Sequence, residues 1–246
     1  MKALHTFIFI ISLCCATGIL HAQEDQPENE PEETKAISAR DTLPPSEKYG
    51  IRVGIDLARI LRTGIDDNYQ GLELLGDYRV SKKIFVAAEL GNESLLRDEE
   101  NISVEGSGSY IRVGADYNSY DNWYGMQNLI YVGLRYGYSI FDQNLERYRI
   151  FTSSPYFPSD ERTTPIEATG LSAGWIEFIV GLKVELFHNI FLSGSVSIKN
   201  IVHEQKPDRF DNLFIPGFGR TNDFSNIGVG YNYTLSYLIP FKKKKR

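Results

Sequence analysis

The chain has 246 residues, 42% of them hydrophobic and 13% aromatic, with a formal net charge of -6. That length suits one β-rich domain or two smaller ones, and the mildly acidic balance excludes the electrostatic footprint of a nucleic-acid binder. Beyond the N-terminus no apolar run is long enough for a membrane-spanning helix.

The N-terminus reads MKALHTFIFIISLCCATGILHAQEDQ. Lys2 is a basic start, Phe7 to Leu13 an apolar core, and Leu20-His21-Ala22 a small-residue cleavage site before Gln23. Residues 1–22 are therefore expected to be a secretory signal peptide; the alternative is an N-terminal membrane anchor. A lipidated cysteine needs small residues before it. Leu13 precedes Cys14 and Cys14 precedes Cys15, so both are expected to leave with the peptide. The mature chain then has no disulfide and no Cys-metal site. Residues 23–48 are acidic, Pro-rich and poor in large apolar side chains, the composition of a disordered tether.

From Tyr49 the texture changes to alternation, the signature of strands with one apolar face. Eight runs follow in order. Tyr49–Leu61 carries Ile51, Val53, Ile55 and Leu57 on one face, and Tyr69–Val80 carries Leu72, Leu74, Tyr78 and Val80. Ile84–Gly91 and Ser109–Asn118 follow, with Val86 and Leu90, then Ile111 and Val113. Ile130–Phe141 alternates strictly through Val132, Leu134, Tyr136 and Tyr138, with Arg135 in its middle. The last three are Ala173–Phe187, Ile190–Asn200 and Ser225–Phe241. No stretch shows helical periodicity. The opposite faces hold Arg52, Asp56, Glu73, Asp77, Glu89, Arg112, Asp116, Arg135, Glu177, Lys183 and Glu185.

Two geometries accommodate such strands. A soluble sandwich or lipocalin-like ligand binder turns the apolar face inward, and a transmembrane barrel turns it outward to lipid. The connections discriminate. Short ones (SKK, HN) alternate with long ones (Asn92–Gly108, Asp142–Ser172, Ile201–Phe224). In an up-and-down barrel this puts the long connections at one end, the asymmetry of an outer-membrane protein. Tyr117, Tyr120, Trp123, Tyr124, Tyr237 and Phe241 suit an aromatic girdle, or else core packing. The expectation is an all-β, up-and-down antiparallel transmembrane barrel over residues 49–241. It has eight strands, or ten if a hairpin lies around Tyr148–Phe151. Residues 242–246 form a basic tail. Inside so narrow a barrel the eleven charges are expected to pair as a lumen network that plugs it. Gly54, Gly114, Gly133 and Gly181 would leave room for the long side chains.

The segment WIEFIVGLKVELFHNIFLSGSVSIK, with Trp175, Glu177, Gly181, Lys183 and Glu185 before a tight His188-Asn189 turn, resembles the small outer-membrane barrels of Bacteroidota. It resembles in particular a family of that phylum catalogued only as a domain of unknown function. The HAQ that closes the signal peptide agrees. The resemblance implies a barrel over Tyr49 to Phe241 and carries no activity with it. The chain departs from such barrels at its end, where Phe241 follows Pro240 and a basic tail comes after.

For chemistry the candidates are His203, Glu204, Asp208, Asp211 and Asp223. His203 would serve as general base, because imidazole titrates near neutrality. No second histidine is near it, no metal-ligand spacing is recognised, and no phosphate loop is present. No catalytic residue, cofactor or metal is therefore expected. Arg147, Arg149, Tyr156, Phe157, Arg209, Phe214 and Phe218 are the aromatic and Arg residues of the long loops, the types that anchor interfaces. They would dock a partner, contact lipopolysaccharide phosphates, fold over the barrel as a lid, or pack on one another. The expected role is structural or surface-binding. Its partners would be outer-membrane lipid, lipopolysaccharide, the barrel assembly machinery and an envelope or extracellular protein. A narrow porin and a rim hydrolase acting on lipid or peptide are the alternatives.

Overall fold

Alternation with a period of two drives nearly the whole described chain into antiparallel strands. The computed structural model describes residues 48–120, 127–150, 160–222 and 224–243. The segments expected as signal peptide and tether, up to residue 47, with Trp123, Tyr124, Tyr156, Phe157, Asp223 and residues 244–246, lie outside the described residues.

The elements are β1 (Lys48–Asp56), α1 (Leu57–Ile65), β2 (Tyr69–Arg79), β3 (Ile84–Glu99), β4 (Ile102–Asn118), β5 (Leu129–Ile150) and β6 (Asp160–Arg162). They continue with β7 (Ile166–Phe187), β8 (Ile190–Glu204), β9 (Phe214–Ile215), β10 (Gly219–Arg220) and β11 (Ile227–Lys243). Hydrogen-bonded neighbours run β4-β3-β2-β1-β11-β8-β7-β5, and β4 pairs with β5 to close the ring. The result is an eight-stranded up-and-down antiparallel barrel. Asn189, at φ 66°, makes the two-residue turn between β7 and β8.

The faces fall as the alternation dictates. Leu134 is 58% exposed on the outside, whereas Arg135 is 3% exposed in the lumen. Val132, Tyr136 and Tyr138 share the outer face with Leu134. Glycines admit the bulkier inward side chains. A Cβ at Gly137 would fall inside the Trp175 indole, and one at Gly133 would meet the Asp116 carboxylate.

Three sequence expectations are corrected. The first run does not continue as a strand to Leu61. β1 stops at Asp56, whose side chain caps α1 by accepting from Ala58 N at 2.8 Å. Helical spacing then turns Arg59, Arg62 and Thr63 to one side and Leu57, Ile60, Leu61 and Ile65 to the other. Second, Asn92–Gly108 is not a loop: β3 and β4 pair throughout it and turn only at Glu100-Asn101. Third, the possible extra hairpin near Tyr148 is only β6, three residues paired to the end of β5 outside the ring, so the barrel has eight strands.

The wall is uneven. β1 has 9 residues, and β5 and β7 have 22 each. β1 therefore leaves a gap between the upper parts of β2 and β11, and α1 occupies it. On the β2 side the gap is hydrogen-bonded. Gly71 N donates to Thr63 Oγ1 at 2.9 Å and Tyr69 N to Asp66 O at 3.0 Å. On the β11 side, Tyr233 N donates to Asp56 Oδ1 at 3.4 Å. Above Tyr233, no hydrogen bond joins α1 to β11 among the described residues.

Gly137→Val is expected to destabilise the barrel by about 1–3 kcal/mol through overpacking on Trp175, read as a lower urea midpoint. An unchanged midpoint contradicts the placement of Trp175 against β5.

Candidate functional site

The lumen is filled in three layers. At the short-turn end Phe85, Leu129, Tyr131 and Ile179 form an apolar floor. Arg52 lies above it, its guanidinium 4.7 Å from the Phe85 ring and 5.3 Å from that of Phe191. Asp77 receives Arg52 Nε and Lys183 Nζ, each at 2.5 Å.

The middle layer centres on Arg112 of β4. Its guanidinium reaches Glu73 and Glu89 at 2.7 Å and Glu177 at 3.1 Å. Glu73 also accepts from Arg59 Nε at 3.0 Å, from Asn232 Nδ2 at 2.9 Å and from the Tyr110 hydroxyl. Arg135 bridges Glu89 at 3.4 Å and Asp116 at 2.7 Å. The cavity left among these groups is about 30 Å³, the scale of one water. Of the eleven charges named from sequence, ten meet in these contacts or, for Asp56, at the α1 cap. Glu185 stands apart at the short-turn end, where it accepts from Asn189 N at 3.0 Å.

The upper layer is a segment of the last long connection folded into the barrel mouth. β9 and β10 form a minimal hairpin whose turn holds Gly217 at φ 80°. Ile215 and Phe218 join Tyr110, Phe141, Leu171, Ala173, Trp175 and Ile201 in one buried cluster, and Phe214 packs with Tyr69 and Leu95. Phe218 meets Trp175 edge to face at 5.9 Å. Lys199 Nζ donates to the Gly217 and Phe218 carbonyls at 2.8 and 3.2 Å, and Glu93 accepts from Gly217 N at 2.6 Å. Phe214 and Phe218 are thus buried, which removes them from the surface as docking residues.

Sequence reasoning missed Arg59 and Glu93, and left the folding of the loop over the mouth as one alternative among several. Arg59 joins Asp56, Glu73, Glu93 and the Tyr69 hydroxyl. The signal for it was the helical spacing of 57–65, which the preceding alternation masked.

At the rim, Arg147 hydrogen-bonds Asp98 at 3.0 Å and the Glu99 and Glu100 carbonyls, stapling the β3–β4 tip to β5. The Asp98 bond raises the Arg147 guanidinium pKa, and a hydrogen bond from Arg97 lowers that of the Glu99 carboxyl. Arg149 lies 3.7 Å from Glu100. Arg209 is exposed in a cleft with Asp208 and Phe210. His203 is exposed beside Glu204, which is engaged by Asn212 Nδ2 at 3.0 Å, and Asp211 pairs with Lys206 at 3.0 Å. Among the described residues no group of His, Cys, Asp and Glu is placed to hold a metal ion.

Arg112→Leu is expected to cost about 3–5 kcal/mol, because it strands buried carboxylates. Urea unfolding in detergent measures it, and a change below about 1 kcal/mol contradicts the hub role.

No curated protein matches the chain. Solved structures bear a likeness, among them two outer-membrane proteins, Ail and CarO2. Ail, the attachment invasion locus protein of Yersinia pestis, is 13% identical at a TM-score of 0.37, over 79% of this chain and 99% of its own. Acinetobacter baumannii CarO2 is 12% identical at a TM-score of 0.40, over 80% and 100%. At those scores neither carries a functional argument. The family model described as "Domain of unknown function (DUF6048)" matches residues 5–244, nearly the whole sequence. The chain belongs to that family.

Proposed function

We propose that this protein is an outer-membrane β-barrel with a closed lumen and a structural or surface-binding role at the outer face. The observation that carries the reading is the inside-out distribution of its side chains. Ile51, Val53, Leu74, Val86, Val113, Leu134, Phe178, Ile198 and Tyr237 stand exposed around the ring. At the level of this belt Arg112, Arg135 and Lys183 are interior and paired with carboxylates. A water-soluble surface rarely carries a contiguous apolar patch larger than about a few hundred Å², and this belt runs round every strand of the barrel. In a bilayer it is the lipid-facing band, and closure of the ring leaves few open edges.

The ion-paired middle layer and the folded mouth support a plugged lumen rather than a pore. The tall β3–β4–β5–β7 side would stand above the membrane and present Arg209 and the rim cleft to lipopolysaccharide or an envelope partner.

The extracted protein is expected in the outer-membrane fraction with heat-modifiable gel mobility; a soluble, unshifted protein overturns the reading. Leu134→Arg is expected to destabilise the inserted barrel by about 2–4 kcal/mol, measured by denaturant titration in vesicles. In planar bilayers the intact protein is expected to give no conductance steps. Regular steps would favour the channel over the plugged barrel.

A further inference from the structure

Behind the seam between α1 and β11 lies a cavity of about 150 Å³. Its lining includes outward-facing Val229 and Tyr231 and inward-facing Gly230 and Asn232 of β11, so it wraps the strand's edge from lumen to outside. Four cations line it, Arg59, Arg62, Lys199 and Arg220, against two carboxylates, Asp56 and Glu93.

Both carboxylates are already engaged. Asp56 caps α1 and pairs with Arg59; Glu93 accepts from Arg59, the Tyr69 hydroxyl and Gly217 N. Lys199 is 4% exposed, and its ammonium holds two carbonyls but no carboxylate among the described residues. Exposed Arg220 makes no salt bridge among them, although the charge of Glu99 acts on it at longer range. Glu177, opposite Lys199 in the β7–β8 ladder, contributes negative charge but no direct bond. A phosphate between Lys199, Arg220 and Arg59 would give this buried ammonium a direct anionic partner through charge-assisted hydrogen bonds.

The outside of the same seam is apolar. Ile65 of α1 is 83% exposed, and Val229 and Tyr231 of β11 are 80% and 72% exposed. The α1-facing edge of β11 above Tyr233 has no strand paired to it among the described residues. Within hydrocarbon an open edge persists only where it lines a polar cavity, and this cavity is polar.

We infer that the α1–β11 cavity binds the phosphate head group of an anionic amphiphile that enters from the side of the barrel, its acyl chain lying on Ile65, Val229 and Tyr231. The inference rests on the membrane-barrel reading. Free phosphate offers the same anion, but the apolar approach on both sides of the opening favours the amphiphile.

The test is equilibrium gel filtration of the full chain in dodecyl maltoside with phosphorus-32-labelled dodecyl phosphate, with labelled inorganic phosphate in a parallel arm. A single saturable equivalent of dodecyl phosphate is expected. The affinity should fall about tenfold or more in Arg220→Gln and further in Lys199→Met/Arg220→Gln, each checked for heat-modifiable mobility. Exposed Arg220 carries the test alone if the double variant fails to fold. Non-saturable uptake, or affinity unchanged in Arg220→Gln, overturns the site. Equal binding of inorganic phosphate overturns the amphiphile as the source. A wild-type chain that is water-soluble and unshifted on heating overturns the membrane reading, an outcome recorded separately from binding.

Discussion

Everything in this barrel depends on where Arg112 can find oxygen. A ring of eight strands encloses a space only just wide enough for side chains, and a guanidinium there has lost its water. It is held because Glu73, Glu89 and Glu177 converge on it from β2, β3 and β7. Those acids are shared in turn with Arg59, Arg135 and Asn232. The network therefore braces the ring across its diameter, where backbone hydrogen bonds join only neighbours. It also fixes register. A slip of one residue in β4 would send Arg112 outward and Val113 inward, taking from Glu177 its salt bridge and leaving Glu73 and Glu89 with one cation fewer each.

The uneven strand lengths pose a second problem, and α1 answers it. β1 ends at Asp56, leaving part of the wall between β2 and β11 without a strand. A helix suits such a gap because its backbone hydrogen bonds are internal. Asp56 performs two tasks at the junction: it caps the helix and pairs with Arg59. The helix brings Arg59 into the lumen at the level of Glu73 and Glu93, so the wall repair and the ion network share one residue.

The parts legible in the sequence were those where one face is apolar and the other charged. Val132, Leu134 and Tyr136 against Arg135 fix both the strand and its sides. The signal fades where both faces meet water. Arg97, Asp98 and Glu99 put charges on both faces of the top of β3, so a paired hairpin reads as a loop. α1 was hidden for a different reason: Leu57 continues the alternation of Ile51, Val53 and Ile55 for one residue after the backbone has turned helical. The hairpin in the mouth was one of several readings its residues allowed. Phe214, Ile215 and Phe218 are apolar residues in a Pro/Gly-rich connection, and only tertiary contact with Trp175 and Tyr69 distinguishes burial in a barrel mouth from exposure at its rim.

The hairpin in the mouth and the ion network are one mechanical unit. Glu93 holds Arg59 on one side and Gly217 N on the other. Lys199 holds the Gly217 and Phe218 carbonyls, Phe218 packs on Trp175, and the Trp175 indole donates to Glu177 at 3.4 Å. Glu177 then reaches Arg112. A group that drew the Lys199 ammonium toward the α1–β11 seam would loosen its hold on the Gly217 turn. The strain would pass along packed side chains and hydrogen bonds, the media that carry coupling in proteins. The mouth of this barrel is thus tied to its side wall through Glu93 and Arg59, and to its central arginine through Trp175 and Glu177.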